Sequence, residues 1–209
     1  MGYAELVLPE LALVMTRDTR AEARPGTGGG EEADYAARAR AGDAEAFGVL
    51  VKRYAPTARR VARAILQDPD DADDAAQEGL LTAWRKIDRY DPRRPFRPWL
   101  VKIVANAARD LRRARRVRET QPLAADVPSE ATSPAQAAEH RMVGELITRA
   151  LADLPERQRL AVLMFDAEGY THAEIAEILG VPAGTVRSLV FHGRRALRKA
   201  LSPLMGEGK

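Results

Sequence analysis

Apolar residues in this chain recur at spacings of three and four, and nowhere do they alternate with polar ones as a half-buried strand requires. A chain patterned this way buries its stripes by packing helix on helix, so an all-α fold is expected. The first stripe is Phe47, Leu50, Val51, Tyr54, Ala58, Val61, Ala62 and Ile65, a long amphipathic helix that Pro56 should kink or split. A second helix, from about Asp71 to Ile87, turns Ala72, Ala75, Ala76, Gly79, Leu80, Ala83 and Ile87 inward. A third, from about Pro98 to Val117, has Trp99, Leu100, Ile103, Val104, Ala107 and Leu111 as its apolar face.

Residues 119–138 hold Pro122, Pro128 and Pro134 and keep no period, which marks a linker. Beyond it, Val143, Leu146, Ile147, Ala150, Leu151 and Leu154 form another stripe, and Pro155 suits the first turn of a helix ending near Gly169. Thr171–Glu174 reads THAE, a capping box. The short helix it opens should end at Leu179 with Gly180 as its cap, and a final helix runs to Ser202–Pro203. The expected organisation is therefore an irregular extension over 1–33, a helical domain over 34–118, the linker, and a helix-turn-helix domain over 139–209.

Several function classes are excluded. The chain has no cysteine, so disulfides and thiolate metal sites are ruled out, and none of its three histidines has metal-ligand spacing. The acidic residues accompany no histidine base or nucleophile motif, and the RPGTGGG run at Arg24–Gly30 lacks the Lys-Ser/Thr of a phosphate loop. No catalytic site, metal or cofactor is expected. The run Leu6–Met15 is interrupted by Glu10 and has no basic segment before it, so it is neither a signal peptide nor a membrane span. It is compatible with a short interaction segment or with sequence upstream of a start at Met15. The expected compartment is the cytoplasm.

Three constellations remain. On the last helix, Val186, Leu189, Val190, Gly193, Leu197 and Leu201 face inward, while Thr185, Arg187, Ser188, Phe191, His192, Arg194 and Arg198 point away or flank that face. Between Pro182 and Leu201 stand five basic residues and no acid. A tight Gly turn before such a helix is the pattern that places a recognition helix in a DNA groove. The third helix is the second basic element: from Arg85 to Arg118 there are 13 Lys or Arg against 3 Asp. There Lys102, Asn106, Arg109, Arg113 and Arg116 are spaced by 4, 3, 4 and 3 into one stripe suited to phosphates. Tyr90, Phe96 and Trp99 lie beside it, placed to stack on unpaired bases or to fill the core, the latter favoured for Trp99. In contrast, the second helix carries Asp70, Asp74, Gln77 and Leu81 on its outer side, flanked by Asp73 and Glu78. An acidic face with a leucine at its centre suits another protein, not DNA.

DADDAAQEGLLTAW, FRPWLVKIVANAARDLRR and LADLPERQRLAVLMFDAEGYTHAEIAEILGVPAGTVRS stand in this order, and the ordered set resembles the extracytoplasmic-function sigma factors of the sigma-70 family. The resemblance covers about residues 34–118 and 139–202. It implies a transcription initiation factor that binds core RNA polymerase, recognises a promoter and melts its −10 element. Asp70, Asp73, Asp74, Gln77, Glu78 and Leu81 would meet the clamp helices of the largest polymerase subunit, and the flap of the second-largest subunit would be a further partner. Tyr90, Arg93, Arg94, Phe96, Lys102, Asn106, Arg109, Arg112, Arg113 and Arg116 would engage single-stranded DNA at −10. Thr171, Thr185, Arg187, Ser188, Phe191, His192, Arg194, Arg195 and Arg198 would engage double-stranded DNA at −35. The linker would thread the polymerase cleft, and an anti-sigma partner would hold the protein inactive.

The chain departs from the family pattern at Leu189, where an arginine is usual, and at His192 and Gly193, which replace a frequent Arg-Ala. A neutral His192 weakens a phosphate contact, and Gly193 should cost its helix ~1 kcal/mol relative to alanine. The competing readings are a free-standing dimeric helix-turn-helix regulator and an enzyme with a DNA-binding tail. The acidic face argues against the first and the missing catalytic constellation against the second.

Overall fold

The computed structural model describes residues 29–119 and 146–202. Residues 1–28, 120–145 and 203–209 lie outside the described residues, and with them most of the expected extension over 1–33, the expected linker over 119–138 apart from its first residue, and Val143 of the stripe that follows it. The regular elements described are all helical. The first domain comprises α1 (Gly29–Arg40), α2 (Ala44–Leu66), α3 (Pro69–Arg85), a 3-10 turn (Ile87–Arg89) and α4 (Phe96–Glu119). The second comprises α5 over residues 146–152, α6 (Glu156–Val162) running into a π-helical turn (Leu163–Ala167), α7 (His172–Leu179) and α8 (Ala183–Leu201).

Local chemistry accounts for most of the boundaries. Asp43 caps α2 by accepting from the Ala46 N–H at 3.0 Å, and Asp68 caps α3 through Asp71 N at 2.9 Å with Pro69 in the first turn. Thr171 and Glu174 close the expected capping box on α7, and Gly180 ends that helix at φ 65°, a conformation glycine adopts without a Cβ penalty.

Two expectations need correction. Residues 29–33 belong to α1 and not to an irregular extension. Tertiary anchors explain this: Glu32 accepts from the Phe96 N–H at 3.0 Å, at the open N-terminus of α4, and also from the Tyr54 hydroxyl, while Ala36 and Ala39 are wholly buried. Pro56 does not split α2, which is one helix from Ala44 to Leu66. Pro56 is exposed, so the hydrogen bond it removes lies on the solvent side.

The two domains are packed together. One cluster of buried side chains runs from Ala58, Val61 and Ile65 of α2 and Val101, Val104 and Ala108 of α4 into Leu151, Leu154, Leu160, Tyr170 and Ile175 of the second domain. A smaller cluster under α1 joins Phe47, Leu50 and Tyr54 to Tyr90, Phe96 and Leu100. α4 is thus covered on more than one side. Leu100, Val101, Val104, Ala105 and Ala108 are buried, whereas Trp99, Ile103, Ala107 and Leu111 of its expected apolar face are only partly so.

Candidate protein and nucleic-acid interfaces

The face of α3 opposite the core is fully presented. Asp70, Asp73, Asp74, Gln77, Glu78 and Leu81 are all exposed, Leu81 by 46%. Its ion pairs are superficial: Arg59 with Asp73 at 3.2 Å and Arg85 with Glu78 at 3.0 Å. Pairs in that setting are worth ~0–1 kcal/mol and do not lock the face against a partner. Asp71 behaves differently. It is buried and paired with Arg115, and burial raises its carboxyl above the ordinary range in spite of that arginine. Beside the acidic face a groove of about 580 Å³ runs between α3 and α4, with Asp74, Glu78 and Asp110 among its polar lining and Ile103 and Leu111 among its apolar lining.

The basic stripe of α4 divides. Lys102, Asn106, Arg113 and Arg116 are exposed, Arg113 beside Asp110. Arg109 and Arg112 instead converge on Glu156 of the second domain, Arg109 Nε donating to Oε1 at 3.2 Å and Arg112 Nη1 to Oε2. Burial opposes the charge on Glu156, but the two guanidinium groups outweigh it and hold the carboxyl below its usual range.

In the loop before α4, Arg93 is exposed and donates to Asp91 at 3.1 Å, and Arg94 is exposed with Glu177 of α7 at 3.7 Å. Tyr90 and Phe96 correct the expectation of base stacking: they are 2% and 0% exposed. Phe96 sits among Phe47, Tyr54, Tyr90 and Trp99 at centroid distances of 5.3 to 6.5 Å. The Tyr90 hydroxyl donates to the Arg94 carbonyl at 2.5 Å, and burial pushes its pKa up to about 12. Both rings shape the loop and offer no face to a base. The aromatics at Phe47 and Tyr54, on the inward stripe of α2, were the sequence signal for this cluster.

On α8, Thr185, Arg187, Ser188, His192, Arg195 and Arg198 are exposed, as is Phe191 at 62%. Two residues of the expected DNA-facing set are otherwise engaged. Arg194 forms a two-pronged pair with Asp166, its Nε donating at 2.9 Å, and lies over the Phe165 ring at 5.2 Å, because the π-helical turn carries Asp166 against the middle of α8. The Thr171 hydroxyl accepts from the Glu174 N–H at 3.1 Å and donates to its carboxylate at 2.9 Å, so the capping box absorbs it. Leu189 is half-buried against the core, in keeping with its inward position. Gly193 corrects the expectation of a simple propensity cost: it is buried, and a Cβ there would come within 2.5 Å of Val162 Cγ2 and 3.3 Å of the Gln158 carbonyl.

A further set of polar residues carries no periodic signal and was missed. Glu168 is buried with its side chain 3% exposed. It accepts from Thr57 Oγ1 at 2.7 Å, from Arg60 and from Arg97 Nη2 at 3.2 Å, all in the first domain. Arg97 also stacks on Tyr170, 3.9 Å from the ring centre. Arg159 is buried and donates to the Ala64 carbonyl at the end of α2 and to those of Leu151, Ala152 and Leu154, at 2.6 to 3.2 Å. Taking such charges from water costs several kcal/mol per ion unless each finds good partners, and here each does.

Two family models match the chain: sigma-70 region 2 over residues 50–118 and sigma-70 region 4 over residues 144–197. The chain is 37% identical over 164 residues to the extracytoplasmic-function sigma factor SigM of Mycobacterium tuberculosis, covering 78% of this chain and 81% of that protein. It is 34% identical over 175 residues to the RNA polymerase sigma factor NccH of Alcaligenes xylosoxydans xylosoxydans, covering 79% and 92%. Among solved structures, CnrH in complex with the cytosolic domain of CnrY aligns with a TM-score of 0.62 at 28% identity, covering 82% of this chain and 97% of that one. The sigma factor RpoE in complex with the anti-sigma factor NepR, from Bartonella quintana, gives 0.61 at 27%, covering 75% and 96%. The chain belongs to the sigma-70 family, with the extracytoplasmic-function sigma factors among its relatives. It is a transcription initiation factor and not an enzyme, which disposes of both competing readings. Among the described residues no helix is long and apolar enough to cross a membrane.

Proposed function

We propose that this sigma factor docks on the clamp helices of the largest polymerase subunit through Asp70, Asp73, Asp74, Gln77, Glu78 and Leu81 of α3. Its α4 then takes the −10 element as single strands, and α8 reads the −35 element as duplex. The observation that carries this reading is the separation of three exposed surfaces by sign: carboxylates around Leu81 on α3, and cations on α4 and α8. Lys102, Asn106, Arg113 and Arg116, with Arg93 and Arg94 at the loop, make the immediate −10 contacts. Arg109 and Arg112 join them once released from Glu156. Arg187, Ser188 and Phe191 at the start and middle of α8 contact base edges, while Thr185, His192, Arg195 and Arg198 hold phosphates. Capture of an unpaired base offsets part of the unstacking cost of a few kcal/mol. The flap of the second-largest subunit holds the second domain, an anti-sigma protein holds the factor inactive, and all of this takes place in the cytoplasm.

The test pairs binding with initiation. Core polymerase should retain the full-length protein on an affinity column, and the mixture should start discrete transcripts from linear genomic fragments. Gln77→Ala with Leu81→Ala, both exposed, should abolish retention and transcripts while leaving the helical circular-dichroism spectrum intact. Retention undiminished by that change would overturn the assignment of α3.

A further inference from the structure

The carboxylates of the second domain occupy arginines of the domain that faces the −10 element. Glu156 takes Arg109 and Arg112, and Glu168 takes Arg60 and Arg97. Glu177 approaches Arg94 at 3.7 Å. These contacts come from α6, from the turn before α7, and from α7 itself, so they span one broad face of the second domain. Arg109 is left with 23% of its side chain exposed and Arg97 with 23%. A phosphate reaching Arg109 or Arg112 would have to displace Glu156. By contrast Lys102, Asn106, Arg113 and Arg116 stay open on the same helix.

The strength of the closure is uneven, which suits a device that opens. Glu168, Arg159 and the apolar cluster form a buried centre, while Arg94 and Glu177 at the rim are 66% and 58% exposed. Glu168 finds both its arginines across the domain boundary, and Arg159 reaches across it to the Ala64 carbonyl, so separation must expose both buried charges to water.

We propose that the described arrangement is a self-masked state in which the second domain competes with single-stranded DNA for the arginines of the −10 helix. This rests on the reading of α4 as the −10 surface. Glu156 acts as the DNA mimic, and Glu168 is the pin that holds the domains together. Binding of a strand along α4 and parting of the domains are then one linked equilibrium, and the apparent affinity falls by the fraction of molecules that are open.

The experiment uses the full chain and a fluorescein-labelled thymidine 20-mer, read by anisotropy at fixed salt. Glu156→Gln with Glu168→Gln keeps side-chain size and the contact with Thr57 while removing both charges. If the closed form holds about nine molecules in ten, this double variant should bind about tenfold more tightly. Two lost acids also raise net charge, so Asp34→Asn with Glu45→Gln, both exposed and near the start of the first domain, serves as the charge-matched control. Because the chain has no cysteine, spin labels at Asp88→Cys and Ala196→Cys, one exposed site in each domain, report the interdomain distance directly. A lengthened or broadened distance in the Gln variant, with tighter binding than the control, supports the proposal. Unchanged distance, or tightening equal to the control, overturns it. Arg113→Ala separates the two readings: if it leaves binding to the 20-mer unchanged, the −10 assignment of α4 fails first. If it weakens binding while the Gln variant gains nothing, only the self-masking is lost.

Discussion

Gly193 of α8 and Val162 of α6 approach so closely that a single added methyl group would stand 2.5 Å from Val162 Cγ2. The Val162 side chain fills the space that a Gly193 side chain would need, and the backbone carbonyl of Gln158 closes the other side at 3.3 Å.

The consequence for Gly193→Ala is opposite to what helix propensity suggests. Propensity alone would stabilise by ~1 kcal/mol. Overpacking a tight contact typically costs ~1–3 kcal/mol, and here the neighbours are a branched side chain and backbone. A net loss of about 1–2 kcal/mol is expected in urea melts, smaller in a Val162→Ala background, where the methyl finds room. Stabilisation in the parent sequence would contradict the packing described.

Arg187 and Arg195 should differ in kind on α8. Arg187→Ala is expected to cost ~1–3 kcal/mol on a preferred duplex and to relax selectivity at one base position. Arg195→Ala should weaken all duplexes alike and flatten the salt dependence by about one counterion. Binding titrations at several salt concentrations against selected and scrambled duplexes distinguish the two.

Thr171 is assigned to structure. Thr171→Ala removes the cap of α7 and should destabilise the second domain by ~0.5–2 kcal/mol, with Thr171→Ser recovering most of it. Duplex affinity of the fully folded fraction should not change. A loss of affinity at unchanged stability would place the hydroxyl on DNA instead.

His172 stacks on Phe165 with ring centres 4.4 Å apart. Burial, then the charges of Arg187 and Arg194, lower its pKa from the ordinary value of 6.5. A depressed pKa means the native state favours the neutral ring. Its contribution is therefore complete above pH 6.5 and is lost as pH falls through the lower folded value. Melting temperature should drop between neutral and mildly acidic pH, and His172→Gln should flatten that slope. An equal slope in the variant would exclude His172 as its source.

The one-sided chemistry of the helices was legible in the chain alone. A period of three and four identifies which residues of α2, α3 and α8 turn inward, because a helix has to bury its apolar stripe somewhere. Thr171, Glu174 and Gly180 announced their turn because capping acts within a few residues. The charge signs on α3, α4 and α8 needed no coordinates either. What only the tertiary structure decided are relations between distant segments: Glu32 closing the start of α4, Phe47 and Tyr54 drawing Tyr90 and Phe96 into a core, and Glu156 and Glu168 taking arginines of the other domain. Periodicity says that a side chain faces in or out but is silent on which surface covers it. Ion pairs between residues 44 to 108 positions apart leave no spacing to read, since their geometry exists only once the helices have packed.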